Sequence, residues 1–288
     1  MIQLENEQLQ IQIVEKGAEL QSVKANGLEY IWGGNPAFWG KHSPVLFPIV
    51  GGLKGNSYTF QGKTYQLGRH GFARDTIFTV LEKPKNETVL LGIADTEETK
   101  KVYPFSFQFF IRYTLKDNSL HIDYTVRNTD TQDVYFSVGA HPAFNVPLEK
   151  DLSFEDYALH FNQKEYSSIF PLDANGQTLT DSIPFLQDTQ ELPLKKTLFY
   201  KDALVFKDLK SDEITLKSEK SAHGLTVAFD GFPYMGIWSA KDADFVCIEP
   251  WNGIADNVEA SGDITQKEGI ISLSPTKLFN AGWSIRFF

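Results

Sequence analysis

"SFQFFIRYTLKDNSLHIDYTVRN", residues 106–128, carries the pattern that decides the fold. Apolar side chains return at every second position: Phe107, Phe109, Ile111, Tyr113 and Leu115 share one face, while Ser106, Gln108, Arg112 and Thr114 share the other. Phe110 is the exception. The polar "KDNS" follows, and the alternation resumes with Leu120, Ile122, Tyr124 and Val126 against His121, Asp123, Thr125 and Arg127. Successive side chains of a strand point to opposite faces, so two period-two runs joined by a short polar turn predict an antiparallel hairpin with one buried face.

The same grammar extends outward. "NSYTFQGKTYQL" turns at Gln61-Gly62, the N-terminus contributes "LQIQIV", and "LTVAFDG", "YMGIWSA" and "FVCIEPW" follow late in the chain. Sustained helical periodicity is almost absent. Closely spaced strands of this kind predict an all-β antiparallel sandwich or barrel. Neither a Gly/Ser/Pro linker nor a low-complexity tract interrupts the 288 residues, so the chain reads as a single domain, 1–288. Aromatic residues at 14%, with 23 Phe, suit sheets better than helix bundles.

Charge and cysteine content narrow the function. A formal net charge of −10 without a basic patch argues against nucleic acid or an anionic membrane as partner. The single cysteine, Cys247, excludes a disulfide framework and a cysteine-based metal cluster. "MIQLENEQLQIQI" has Glu where a signal peptide carries Lys or Arg, and no apolar run approaches a membrane span, so a soluble cytoplasmic protein is expected.

Three stretches break the alternation: "GRHGFARD" (68–75), "VGAHPAFNVPL" (138–148) and "CIEPWNGIADN" (247–257). Each sets titratable groups among Gly, Pro and aromatics, the composition of loops that carry function on rigid scaffolds. Alternation in "DFVCIE" puts Glu249 on the same face as Phe245 and Cys247, a costly place for a carboxylate unless it is paired or used. His141 precedes a proline that restricts it to extended backbone, which orients the ring; a satisfied core histidine is the competing reading.

Taken together and in order, "GRHGFAR", "GAHPAFNVP" and "IEPWNGIADN" resemble the aldose 1-epimerase (galactose mutarotase-like) family, and the likeness runs from "GAELQSVK" to "GWSIRF". The resemblance implies a large two-sheet antiparallel supersandwich with few short helices and a sugar cleft. It implies His141 as general acid and Glu249 as general base. Also implied on the substrate side are His70, Trp238 and Asp256, the last matching an aspartate whose role in the family looks structural. The Asn-Arg pair of galactose mutarotases proper, in a "GR.ANR" stretch, is missing; "FPIVGGLKGNSY" stands there, and Arg69 and Arg74 are expected to supply the positive edge.

Anomer interconversion needs an acid at the ring oxygen and a base at the anomeric hydroxyl, with no metal and no cofactor. Phe72, Phe144, Trp238 and Trp251 are the aromatics expected to offer a sugar stacking faces. The expected partner is a small-molecule sugar or sugar phosphate, Lys41, Lys54, Arg69 and Arg74 being the cations considered for a phosphate. The assembly is expected to be a monomer or homodimer. Three rival readings stay open: an iron face of His70, His141 and Glu249; a glycosidase pairing Glu249 with Asp230 or Asp256; and a carbohydrate-binding or sugar-sensing protein without turnover.

Overall fold

The computed structural model describes residues 1–288, the side chains of residues 83–85 excepted. Phe107–Lys116 and Ser119–Asn128 pair antiparallel in continuous register from Phe107↔Asn128 to Lys116↔Ser119, and the two-residue turn takes positive φ at Asp117. The five apolar positions of the first strand and the four of the second are buried, as the alternation requires. Phe110, the exception, lies half-buried on the opposite face, where it covers Gly92 of the neighbouring strand.

This hairpin sits inside a nine-stranded antiparallel sheet that runs, strand by strand, from Ile183–Pro193 at one edge to Thr79–Lys85 at the other. Facing it are a four-stranded N-terminal sheet (Ile2–Glu5, Leu9–Ile13, Leu20–Ala25, Leu28–Glu29) and a six-stranded cleft sheet. The layers meet in one apolar cluster that reaches from Leu4 to Phe287. Phe47 stacks on Phe109 at 4.4 Å between ring centroids, and the Tyr113 hydroxyl crosses the gap to donate to the Ala18 carbonyl at 2.9 Å. Each fully buried side chain of this size is worth about 1.5–3 kcal/mol of transfer free energy, so the layers are held chiefly by Phe, Tyr, Ile and Leu.

Helical structure is slight. Glu97–Val102 is a single α-helix closed at its start by a reciprocal Thr96–Thr99 capping box, and the remainder is short 3-10 turns. Among the described residues no helix is long and apolar enough to cross a membrane.

The cleft sheet is what positions the site. Its central strand, Phe245–Asn252, is buried along its whole length. Tyr234–Trp238 pairs with it on one side; Val138–Ala140 and Ala143–Asn145 pair with it on the other. The odd residues Phe245 and Cys247 face a small cluster with Trp32 and Ala143, while Val246 and Ile248 face the main core.

Candidate active site

Gly139 lies opposite Trp251, and Ala143 lies opposite Cys247. Carrying the same register across the interval places His141 opposite Glu249. In that interval the ladder is interrupted, and two prolines flank the pair: Pro142 and Pro250, neither with an N–H to donate. The chain thus uses prolines where a hydrogen-bonded pair would otherwise close, and the freed cross-strand position holds the two titratable groups side by side. His141 Nε2 stands 3.3 Å from Glu249 Oε2.

The pair forms the floor of a cleft of about 530 Å³. Trp39, His70, Arg69, Arg74, Trp238 and Asp202 are among the residues around it. Glu249 is 1% exposed and His141 9%. Burial raises the Glu249 carboxyl well above the usual carboxylate range; the neighbouring Trp251 indole pulls it back, and Asp202 raises it further. Burial lowers His141 to about 3, and the positive charges of Arg74 and Arg69 push the same way. Desolvation therefore draws both groups toward their neutral forms.

Ring stacking orients His141. Its Nδ1 has no hydrogen-bond partner, so the second nitrogen that usually fixes a functional imidazole is not doing so here. Trp39 instead lies over the ring at 4.9 Å and 25°, backed by Phe245 at 5.7 Å. Trp238 and His70 meet the same ring edge-on at 5.5 and 5.8 Å.

His70 is held by a different device. Its Nδ1 accepts the Gly51 N–H at 3.1 Å, while the backbone N–H of His70 donates to the Gly51 carbonyl at 2.8 Å. Burial, followed by the charges of His141, Arg74 and Arg69, keeps its pKa well below the ordinary histidine value. The neutral ring with Nδ1 as acceptor leaves Nε2–H as a donor. His70 adopts φ +67°, a left-handed conformation that costs energy and is found most often at functional sites. Gly51, at φ +72°, could not carry a side chain, because a Cβ would fall 2.4 Å from that of Ala255.

Asp256 departs from its expected place. It is buried outside the cleft, where Oδ1 lies 3.0 Å from Lys267 Nζ and Oδ2 accepts the Lys54 N–H at 2.9 Å. The Asp256 N–H in turn donates to the Gly52 carbonyl at 2.9 Å. Asp256 therefore ties the loop after the central strand to the loop that carries Gly51, so it supports His70 without facing the cleft. A burial cost of this size for a carboxylate is met only by a full set of partners, which these contacts supply.

Arg69 and Arg74 both line the cleft. Arg69 Nη2 makes one long contact, 3.4 Å to the Asn175 carbonyl; Arg74 Nη2 donates to the Arg69 carbonyl at 3.0 Å, and its Nε faces Asp75 Oδ2 at 3.7 Å. Lys41 instead sits 3.5 Å from Asp75, and Lys54 is exposed away from the cleft. Of the aromatics considered for sugar stacking, Trp238 and Trp251 line the cleft, while Phe72 and Phe144 pack in the main core. Trp251 lies across Gly139 and Gly236, where an added Cβ would come within 2.7 and 2.3 Å of its ring.

Neither acid considered for a glycosidase partner reaches Glu249: Asp230 is exposed at a turn, and Asp256 is bound to Lys267. Among the cleft residues that the sequence reading does not single out are Trp39, Tyr200, Lys201, Asp202 and Lys241. They stand on irregular loops. The only hint was compositional, the Gly-, Pro- and aromatic-rich "NPAFWGKHSP" around Trp39.

A family model described as aldose 1-epimerase matches residues 1–272. The chromosomal LacX protein of Lactococcus lactis subsp. lactis is 37% identical over 286 residues, 95% of each chain. Among solved structures, a galactose mutarotase related enzyme from Lactobacillus acidophilus is 37% identical with a TM-score of 0.95, covering 100% of this chain and 97% of its own. A galactose mutarotase-like protein from Lactobacillus casei ATCC 334 is 32% identical with a TM-score of 0.94 over the full length of both.

Proposed function

Because this chain belongs to the aldose 1-epimerase family, we propose that it interconverts the α and β anomers of a hexose or hexose phosphate by proton transfer through His141 and Glu249. The observation that carries this reading is the cross-strand contact of those two groups, 3.3 Å apart on the floor of a sugar-sized cleft.

In the proposed reaction Glu249 takes the proton of the anomeric hydroxyl while His141 protonates the ring oxygen. The C1–O5 bond breaks, the electron pair of O1 forms the open-chain carbonyl, and rotation about C1–C2 presents the other carbonyl face. Reclosure runs the transfers backwards. Burial favours the neutral carboxyl of Glu249 and the neutral imidazole of His141. A sugar hydroxyl donating to the carboxylate favours its ionised form, so substrate moves the proton to His141 without changing the charge of the pair. Each such transfer is typically worth about a hundred- to ten-thousand-fold in rate. The His70 Nε2–H serves as a donor to a sugar oxygen, and Trp238, Trp251 and Trp39 offer flat apolar faces to its C–H surface.

Arg69, with its one long contact, and Arg74, whose Nε stands 3.7 Å from Asp75 Oδ2, bring two guanidinium groups to the cleft that suit an oxyanion at one end of the ligand, so a phosphorylated sugar is proposed beside the free one. The deciding experiment follows the relaxation of fresh α-glucose, α-galactose and their 6-phosphates by NMR, with wild type, His141→Asn and Glu249→Gln. Acceleration by wild type and its loss in both variants is expected. If wild type binds one of these sugars without accelerating it, the cleft is a receptor and the catalytic reading falls.

A further inference from the structure

We propose that the floor of the cleft is also an inhibitory site for a thiophilic divalent cation of the zinc class, held by His141 Nε2, Cys247 Sγ and a carboxylate oxygen of Glu249. These three ligand atoms lie within 4.8 Å of one another, all on buried residues. The arrangement follows from the strand geometry. Cys247 and Glu249 alternate onto one face of the Phe245–Asn252 strand, and the register sets His141 directly across from Glu249.

The separations suit the ion. Zinc bonds of about 2.0 Å to nitrogen and oxygen and 2.3 Å to sulfur put tetrahedral ligands about 3.3–3.6 Å apart. The His141–Glu249 distance is already 3.3 Å. Closing the sulfur from 4.8 Å or less to that spacing takes a shift of about 1 Å, within reach of a side-chain rotation. Glu249 Oε2, on a side chain 2% exposed, has no hydrogen-bond partner among the described residues and faces the position an ion would take. The cleft supplies the entry path and room for a fourth ligand such as water. A mixed sulfur, nitrogen and oxygen donor set selects a zinc-class ion over magnesium or calcium, which demand oxygen ligands. A thiolate and a carboxylate are the ligating forms, so binding releases the protons of Cys247 and Glu249 to solvent.

An ion there occupies both atoms that would exchange protons with the sugar, so turnover stops. That inhibition rests on the function proposed above; the binding does not. The test uses the metals alone on the whole protein. Cobalt(II) titration of wild type is expected to give one equivalent per chain with a near-ultraviolet thiolate-to-cobalt charge-transfer band, displaced by zinc. Cys247→Ala should lose the band and weaken zinc binding at least tenfold by calorimetry. Where wild type converts anomers, zinc should arrest it at the same concentrations, with recovery on adding EDTA. Should Cys247→Ala fold poorly, His141→Asn and Glu249→Gln read the same site by the same tenfold criterion. A wild type without the charge-transfer band, or folded variants that bind zinc as tightly as wild type, overturns the proposal. Zinc binding with the band, in a protein that converts no sugar, leaves the metal site standing and removes only the epimerase reading.

Discussion

Glu249 keeps a carboxyl group where almost no water reaches it, and that placement has a thermodynamic signature. Its folded pKa lies above the ordinary carboxylate value, so the folded chain binds this proton more tightly than the unfolded chain does. Above about pH 4.5 the unfolded carboxylate ionises freely and the folded one resists, so the group costs stability as pH rises toward the folded pKa. Glu249→Gln, isosteric and uncharged, should therefore raise Tm at pH 7, and the gain should shrink as pH falls toward 4. Calorimetric melts of both proteins across that range check it. Anomer conversion in the same variant should fall by a factor of about 100 or more, the stability–activity exchange expected of a strained site. Trp39 gives a second prediction at this scale. Because stacking rather than a hydrogen bond orients His141, Trp39→Ala should lower kcat about tenfold with a smaller change in KM, and Trp39→Phe should restore most of it. Steady-state kinetics on the accepted sugar separate the two constants. A loss confined to KM would make Trp39 a sugar platform alone.

Strands and loops were not equally legible. The hairpin at 107–128 could be read because its core face repeats every two residues, a period that survives any detail of packing. The contact between His141 and Glu249 joins residues from separate stretches and has no local trace; only the resemblance of the two motifs to a known family suggested it. Asp256 shows the opposite failure. Its motif was visible, but its partner Lys267 lies in a different turn, and nothing in the sequence says that the carboxylate points away from the cleft. The pair makes a prediction about elements: Asp256→Ala should destabilise by about 3–5 kcal/mol, since it leaves a buried ammonium without its counter-ion, and Asp256→Ala with Lys267→Met should recover a large part of that. Denaturant unfolding of the single and double variants gives the coupling directly.

Over the whole molecule, charge is distributed against the average. A chain of net −10 gathers Arg69, Arg74, Lys201 and Lys241 around one cleft, so the mouth opposes the long-range field of the rest. If a phosphorylated sugar is the substrate, its KM should rise several-fold between about 0.05 and 0.5 M salt, because screening weakens the attraction between exposed charges, while the KM of the unphosphorylated sugar should stay nearly flat. Arg74→Ala should then raise KM for the phosphate alone. The sequence predicts the two arginines at this edge, but not Lys201 and Lys241, which come from loops remote from them.

The unbroken register between 139–143 and 247–251 has a consequence for how such a protein can change. Most positions around the pair tolerate a different side chain more readily than a different count of residues. Adding or deleting one residue between Gly139 and Ala143 would turn His141 to the opposite side of the sheet, into oil. The segment is therefore a ruler as much as a scaffold. A transplant into another antiparallel sheet would need to keep that count and both prolines before any neighbouring ring, such as Trp39, could orient the histidine.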